Sequence, residues 1–372
     1  MTELRGLLAA ILIAAFSGPA AANDIRVGFI NSAIPPEFWN LVGATMKDAS
    51  RQLGIDVQIR DVHRSREKAV AAAKELLALP QPPDYLVASN DVGIGVDLIK
   101  LTDTTPVKLL LINNDIDPKD WPAFGEPRTK HPNWLGSIVP DHESAGYGIA
   151  TAILTAAAKS KSTRPLRVLA LAGDAITPAS IDRVRGLKRG VDVMTRMLGP
   201  NSVELVELRH LDWTEKTAEA SVREFAKAGP RIDALWAAND PMALGALRAL
   251  SESGYQPGVD VLVGGLNWSQ PAVDRVLKKE MVLTHGGHFL LGAWAMVMLR
   301  DHRDGRDFAE EDVRLQVPMG AIDLAVARRF PEIGKVAWSR VDFTRFSKTR
   351  NRAVVRYEFS PEAVLDQLQP AR

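Results

Sequence analysis

Residues 234–253 read ALWAANDPMALGALRALSES, and this stretch decides the fold class. Its first four residues, Ala234–Ala237, are apolar and short enough for a buried strand, whereas Met242–Ser253 has the apolar spacing of a helix. Asn239-Asp240 lies between the two elements, and the next apolar run, Asp260–Gly264, predicts a second strand. A strand, a helix and another strand in succession form the unit from which parallel sheets are built.

The same alternation of strands and helices fills most of the chain in two series. In the first series, the predicted elements are Ile25–Ile30, Phe38–Leu53, Asp56–Asp61, Arg66–Leu79, Tyr85–Ala88, Gly95–Thr102 and Lys108–Ile112. In the second series, they are Ser144–Ala158, Leu166–Leu171, Ile181–Leu198, Ser202–Leu208, Thr214–Lys227 and the unit quoted above. The boundary between the series falls near Gly136–Asp141. We therefore predict an α/β protein of two doubly wound parallel-sheet lobes with a ligand cleft between them.

Short polar residues directly follow five of the apolar strands. They are Asn90-Asp91, Asn113-Asn114-Asp115, Gly173-Asp174, Asn239-Asp240 and Asn267. Any one of them is explained as a helix cap or a turn residue. Five in the same structural position also fit a ligand site, because ligands bind outside the carboxyl ends of parallel strands.

Length and composition exclude several classes of protein. The chain has 372 residues, 46% hydrophobic and 24% charged, which fits two folded domains rather than a disordered chain. Its formal net charge of +1 gives no reason to expect a nucleic-acid partner. It contains no cysteine, so disulfides, thiolate nucleophiles and cysteine-ligated metals are excluded.

The first 22 residues have the pattern of an export signal. Arg5 precedes the apolar run Leu7–Phe16, and Ala20-Ala21-Ala22 fits a small-residue cleavage site, so we predict a mature chain beginning at Asn23 in the periplasm. The run is shorter than the roughly 20 apolar residues that a membrane span needs. A buried N-terminal helix is the alternative.

No pattern of catalytic or metal-binding residues is visible. His285 and His288 are three residues apart, but further ligands for a metal are not identifiable. The segment Ser65-Arg66-Glu67-Lys68 matches half of a β-lactamase motif, and its companion motifs are missing. We therefore predict a protein that is not an enzyme and that uses no cofactor and no metal.

The segment Pro331–Arg372 lies outside the alternating pattern. It contains eight basic and five acidic residues, an excess of +3. We predict a solvated extension packed on one lobe, and a surface for docking a partner is the alternative.

Four segments carry a resemblance to a known family. They are Glu37-Phe38-Trp39, Asp141-His142-Glu143-Ser144-Ala145-Gly146, Asp182-Arg183-Val184-Arg185-Gly186 and the ten residues from Ala237 to Ala246. In these places and in this order they resemble the type I periplasmic binding proteins, especially the ribose- and galactose-binding branch and the autoinducer-2 receptor. The resemblance covers roughly residues 24–325. Lac-type repressors share this fold but begin with a DNA-binding helix-turn-helix, whereas this chain begins with an export signal.

The resemblance implies a hinged architecture with three chain crossings between the lobes. The crossings are expected near Ser137–Asp141, Thr284–His288 and Leu315–Pro318, and helix Leu290–Arg300 is expected to return to the first lobe. The implied division is a signal peptide at 1–22, a first lobe at 23–139 plus 287–315, a second lobe at 140–286 plus 316–330, and a C-terminal extension at 331–372.

The resemblance also implies which residues contact the ligand. Phe38 and Trp39 stand where the family stacks aromatic rings on a sugar, and Trp213 matches an aromatic that closes the opposite side. Arg185 matches the arginine that reaches into the cleft, whereas Arg183 and Arg189 are expected in solvent. Asn239 matches a ligand amide, Asp240 either binds ligand or caps the following helix, and Trp236 is expected in the core.

The chain departs from the sugar-binding pattern at several positions. Asn113 or Asn114, and Asn267, stand where aspartates are frequent, which removes two charged acceptors. Gly286-Gly287, with His288 beside it, replaces an expected glutamine, and Trp268 is expected to shrink the pocket. The candidate ligand-binding residues are therefore Phe38, Trp39, Asn113, Asn114, Arg185, Trp213, Asn239, Asp240, Asn267 and His288.

The resemblance predicts a periplasmic protein that captures a small polar ligand, a sugar or polyol, for an ABC importer. The departures argue against ribose itself and against autoinducer-2 as the ligand. The alternative is a receptor that passes the closed complex to a membrane sensor kinase, an idea that draws on the C-terminal extension. An exported hydrolase is a third reading, without a visible nucleophile and base. The protein is expected to be a monomer.

Overall fold

The computed structural model describes residues 24–161, 164–229 and 231–369. The predicted signal peptide, its cleavage site and Asn23 lie outside these residues. Within these three ranges, no helix has the length and apolar character needed to cross a membrane.

Strands and helices alternate as the sequence pattern predicts. The strands are β1 Ile25–Asn31, β2 Ile55–Asp61, β3 Tyr85–Ala88, β4 Lys108–Ile112, β5 Trp134–Pro140, β6 Leu166–Ala172, β7 Val203–His210, β8 Ala234–Ala237, β9 Leu262–Leu266, β10 Leu283–Gly286, β11 Arg314–Val317 and β12 Gly320–Asp323. The helices are α1 Pro36–Leu53, α2 Arg66–Leu77, α3 Gly95–Thr102, α4 Trp121–Phe124, α5 His142–Ser160, α6 Pro178–Leu198, α7 Glu215–Lys227, α8 Asp240–Glu252, α9 Gln270–Leu277, α10 Leu291–Arg303, α11 Leu324–Arg329 and α12 Pro361–Leu368.

The strands form two six-stranded sheets, one in each lobe. The first sheet has the order β11-β5-β4-β3-β1-β2 and is parallel throughout. The second has the order β12-β10-β9-β8-β6-β7, and only β12 within it runs antiparallel to its neighbour. Both orders are those of doubly wound sheets, which confirms the predicted fold class.

Helices cover both faces of the first sheet because its strands are apolar on both sides. In β1, Val27 and Phe29 belong to the core shared with α1, whereas Ile30 packs with α2 and α3 on the opposite face. Helix α1 ends at Leu53, and the next residue, Gly54, takes the left-handed conformation (φ 68°) that glycine adopts without a steric penalty. Because α1 follows β1 directly in the chain, its start lies at the carboxyl end of β1, beside the cleft.

The chain passes between the sheets at three places. It leaves the first sheet after β5, returns between β10 and α10, and passes a third time between β11 and β12. The return is shown by the packing of α10 against α1. We propose the lobe boundaries at these passages, with the third moved from residue 315 to Pro318, because Val317 still pairs with Pro140 in the first sheet.

The C-terminal segment is not the solvated extension that its charge predicts. It begins on the second lobe, where the Gln270 side chain donates to the Pro331 carbonyl at 2.7 Å and accepts from the Gly334 amide at 3.0 Å. It then crosses to the first lobe, where the Gln52 side chain bonds the backbone of Val341 and Phe343. We call residues 331–369 the C-terminal strap.

Aromatic side chains explain why the strap is buried. The Trp338 ring lies 4.8 Å from Phe289, and the Trp294 ring lies between Phe346 and Phe359, at 4.6 and 4.8 Å. Large aromatic side chains supply most of the burial energy that a chain segment of irregular structure can gain. The exposed basic residues of the strap are Lys335, Arg340, Arg345, Arg350, Arg352 and Arg356. The net charge therefore describes the surface of the segment and not its buried aromatic side chains.

Candidate functional site

A cleft lies where the carboxyl ends of the two sheets face each other. The empty space between its walls is about 440 Å³, part of which is open to solvent. Its lining residues are Ile34, Pro35, Phe38, Trp39, Arg64, Asp91, Asn113, Asn114, Thr177, Ala179, Arg183, Trp213, Asn239, Asn267 and His288. Eight of the ten predicted ligand-binding residues are in this set. The two that are not are Arg185 and Asp240.

The first lobe contributes an aromatic wall from the start of α1. Pro35 and Pro36 begin the helix with backbone angles that proline already favours, which brings Phe38 and Trp39 to the cleft. The Phe38 ring stacks on the imidazole of His288 with 4.4 Å between centroids. The Trp39 indole N–H donates to the Ile34 carbonyl at 3.0 Å, so its orientation is fixed.

The second lobe contributes Trp213 to the opposite wall. Its indole N–H donates to Asp174 at 2.7 Å. Gly173 leaves room for the ring, since a Cβ at this position would lie 2.0 Å from a Trp213 ring atom. Aromatic faces on both sides of a polar cleft are suited to the C–H face of a sugar.

Replacing Trp213 with alanine is therefore expected to weaken ligand binding. The loss of this buried ring corresponds to about 1.5–3 kcal/mol of apolar burial, or roughly 10- to 150-fold in Kd. Calorimetric titration of Trp213→Ala and Trp213→Phe measures this effect, and the phenylalanine variant should retain most of the affinity. Trp121→Ala is the control because Trp121 is 37% exposed and lies outside the cleft. Equal affinities for Trp213→Ala and the unmodified chain would exclude a stacking role.

Arg183, not Arg185, is the arginine of α6 that faces the cleft. Arg185 lies on the surface, where its side chain is 58% exposed and pairs with Asp182 at 2.8 Å and Glu143 at 3.4 Å. Arg183 is only 3% exposed and lines the cleft. Residues two apart on a helix point in nearly opposite directions, so only one of these arginines can reach the ligand. The expected solvent position of Arg183 was wrong for the same reason.

The guanidinium of Arg183 is held by two histidines and a carbonyl. It donates from Nε and Nη2 to Nδ1 of His142 at 3.3 and 3.2 Å, from Nη2 to Nε2 of His288 at 3.4 Å, and from Nη1 to the Ala238 carbonyl at 2.8 Å. Burial lowers the pKa of Arg183 to about 9. Burial, together with the Arg183 charge, holds the pKa of both histidines well below 6.5, so both imidazoles are neutral.

Asp240 is a structural residue behind the cleft. Its carboxylate accepts from the Thr284 hydroxyl at 2.7 Å and from the amide and hydroxyl of Ser269, both at 2.9 Å. Burial raises its pKa to about 6. The cap of α8 is Asn239, whose Oδ1 accepts from the Met242 amide at 2.9 Å. Asp240 therefore has neither of the two predicted roles.

The two asparagines that follow β4 have different surroundings. Asn114 donates to Asp91 at 2.7 Å and to Ser89 at 3.1 Å, and its Oδ1 accepts from the Ala179 amide of the second lobe at 3.0 Å. Asn113 has a φ of 66°, and its buried Oδ1 has no protein partner. Asn113 is thus the residue of the pair whose side-chain oxygen is available to a ligand.

Sequence reasoning missed Arg64 and Thr177, two polar residues of the cleft, and it noted Asp91 only as a strand-end residue without selecting it for the ligand-binding set. Asp91 follows β3 in the strand-end pattern and adds a carboxylate to the cleft lining. Arg64 donates to Asp174 at 2.8 Å and to the Thr177 hydroxyl at 2.9 Å, which joins the rims of the two lobes. No sequence signal marks Arg64, because its partners are more than a hundred residues away.

Trp268 does not narrow the cleft as expected. Its indole N–H donates to the Gly320 carbonyl at 3.0 Å, and its ring covers Gly286, where a Cβ would lie 2.6 Å from a ring atom. This packing at the hinge explains why Gly286-Gly287 stands where the resemblance leads us to expect a glutamine. Trp236 is fully buried, and its indole N–H donates to the Gly146 carbonyl at 3.0 Å.

The fold and the cleft together define a two-lobed ligand-binding protein. Residues 27–307 match the family model of the periplasmic binding protein domain, and the chain belongs to this family. Across the described residues, no group of three or more histidine, cysteine and acidic side chains is placed to hold a metal ion.

Known relatives are similar over most of the chain. The galactofuranose-binding protein YtfQ of Escherichia coli K12 is 24% identical over 269 residues, covering 71% of this chain and 77% of YtfQ. The ribose import binding protein RbsB of Salmonella typhimurium is 23% identical over 268 residues, covering 72% and 80%. A periplasmic sugar-binding protein from Pseudomonas fluorescens has a similar structure, with 29% identity, a TM-score of 0.81 and coverage of 92% of this chain and 99% of the other.

Proposed function

We propose that the protein captures a small sugar or polyol in the periplasm and delivers it to the permease of an ABC importer. The observation that carries this proposal is the cleft itself, in which Trp39 and Phe38 face Trp213 across a set of buried polar groups. Sugars combine apolar C–H faces with ring hydroxyls, and this cleft offers surfaces for both. The names of the relatives described above support the same class of ligand.

Several polar groups in the cleft retain hydrogen-bonding capacity. Arg183 has five N–H donors, and one on Nη1 has no partner among the bonds described above. Asn113 Oδ1 and His288 Nδ1 are buried without a protein partner. Asp91 accepts bonds on Oδ1, and its second carboxylate oxygen provides a charged acceptor. This mixture of donors and acceptors matches hydroxyl groups, each of which both donates and accepts.

The contacts between the lobes support capture by closure. The Arg64–Asp174 ion pair and the bond from the Ala179 amide to Asn114 both join the first lobe to the second at the cleft. Binding proteins of this architecture close like a hinged clamp, and a closed form presents a defined surface to a partner. The relatives are named as sugar-binding or import proteins, so the alternative of a sensor-kinase receptor is not favoured. Monomeric state and removal of residues 1–22 remain predictions.

A thermal-shift screen tests the proposed function. The chain would be heated with D-galactose, L-arabinose, D-allose, D-ribose or myo-inositol. A sugar present at 100 times its Kd adds about 2.7 kcal/mol to the free energy of unfolding and raises the melting temperature. Amino acids and dipeptides serve as the comparison panel. A response confined to the amino-acid panel would overturn the proposal, whereas a response to one sugar would name the ligand class.

A further inference from the structure

The contacts of Arg183 fix the protonation state of the two histidines that hold it. A guanidinium only donates hydrogen bonds, so Nδ1 of His142 and Nε2 of His288 must both be unprotonated acceptors. The Nε2–H of His142 then donates to the Asn113 carbonyl of the first lobe at 3.1 Å. The Nδ1–H of His288 is buried without a protein partner. Each imidazole therefore has a defined neutral tautomer in the closed cleft.

We propose that His142 is a positioning residue for Arg183 and that the closed, ligand-holding cleft requires neutral His142 and His288, so that acidification opens it and releases the ligand. This inference rests on the proposed function. A proton on His142 Nδ1 would remove the acceptor of Arg183 and place a second cation 3.2 Å from its guanidinium. The bond from His142 to Asn113 is one of the contacts between the lobes, so a displaced imidazole also weakens closure.

Among the described residues, no carboxylate bonds His142 or His288 directly and so compensates for an added proton. The charged and titratable groups next to His142 are Arg183 from α6 and His288 from the segment before α10, whose ring centroid lies 6.3 Å from that of His142. Phe38 covers the face of His288. The carboxylates that act on Arg183 are those of Asp182 and Asp240, and both are bonded elsewhere. Asp141, which caps the start of α5, accepts from the Ser144 amide, and Glu143 of α5 pairs with Arg185 and Arg189.

The direction of the pH effect follows from linkage. In the closed cleft, both histidine pKa values lie well below 6.5, whereas opening exposes the imidazoles to water and lets their pKa rise toward that value. Protons then bind the open form preferentially, so Kd increases as pH falls through the open-form pKa. Between about pH 7.5 and about pH 5.5, each histidine accounts for at most about a tenfold weakening of binding.

Calorimetric titration of the full chain tests the inference, with the panel sugar that gives the largest thermal shift at neutral pH as the probe. We expect the Kd of the unmodified chain to rise at the lower pH, by at most about a hundredfold, which is the product of the limits for the two histidines. In His142→Asn, the amide oxygen can accept from Arg183 without titrating, but the bond to the Asn113 carbonyl is lost. Binding should therefore be weaker than in the unmodified chain at the higher pH, and the Kd should change less between the two pH values. His142→Leu removes the acceptor and should weaken binding at both pH values. His302→Gln is the control, because His302 bonds Tyr85 away from the cleft.

A distance measurement tests the same inference without a ligand. Since the chain has no cysteine, Glu67→Cys with Ile176→Cys provides two exposed labelling sites, one on each side of the Arg64–Asp174 contact. Nitroxide labels should report a longer distance at the lower pH, and His142→Asn with His288→Asn should suppress the change. An unchanged distance together with an unchanged Kd overturns the inference. A pH-dependent distance without binding of any panel sugar would instead reject the proposed function and leave the inference standing.

Discussion

Arg183→Ala is expected to weaken sugar binding by roughly 30-fold or more, whereas Arg185→Ala should leave the Kd unchanged. The two arginines lie two residues apart on α6, and only Arg183 is buried in the cleft. Truncating one buried, charged hydrogen-bonding group costs about 2–5 kcal/mol of binding, or roughly 30-fold or more in Kd. The Arg185 side chain is 58% exposed, and exposed ion pairs contribute little.

Calorimetric titration with the panel sugar measures both variants, and thermal melting shows whether each is folded. Arg183→Lys separates charge from geometry, because lysine keeps the charge but loses the planar fork that meets His142, His288 and Ala238 together. We expect this variant to bind at least tenfold more weakly than the unmodified chain. Normal affinity in Arg183→Ala, or loss of affinity confined to Arg185→Ala, would contradict the geometry of α6.

The arginine pair shows where sequence reasoning succeeds and where it fails. Apolar periodicity located α6 and its neighbours because buried strands and helices repeat with fixed spacing. The same periodicity did not determine which arginine faces the cleft, because the cleft wall of α6 is itself polar. The surroundings of Asn114 were equally invisible in the sequence. Its side-chain amide donates to Asp91 and accepts from the Ala179 backbone amide, and both partners belong to other elements. Residues that form hydrogen bonds with each other across the two lobes cannot be recognised from the local sequence.

The C-terminal strap was misjudged for a different physical reason. Net charge describes the outer surface of a segment, whereas its packing depends on a few large side chains that have no regular spacing. Trp338, Phe343, Phe346 and Phe359 are buried although the segment has only short 3-10 turns and α12 as regular structure. Irregular segments give no periodic signal, so their burial is visible only in the folded chain.

Asp301→Ala is expected to destabilise the protein by about 3–5 kcal/mol, chiefly by releasing the strap. Asp301 is fully buried in α10, and its carboxylate accepts from the Ser347 hydroxyl at 2.6 Å, the Lys348 amide at 2.7 Å and the Tyr357 hydroxyl at 3.1 Å. The amide and hydroxyl of Thr349 also donate to it, at 3.0 and 2.7 Å. Removing one carboxylate thus leaves five donors of the strap without their acceptor.

Urea unfolding and limited trypsin digestion measure the effect together. Asp301→Ala should unfold at a lower urea concentration, and trypsin should cut faster at the exposed Arg352 of the strap. Asp366→Ala is the matched control, because Asp366 is an exposed aspartate of the same strap and bonds only the neighbouring Gln369 among the contacts described. If Asp301→Ala and Asp366→Ala unfold at the same urea concentration and are digested at the same rate, the five bonds do not hold the strap. In that case the aromatic contacts of Trp294 and Phe289 are sufficient to keep it in place.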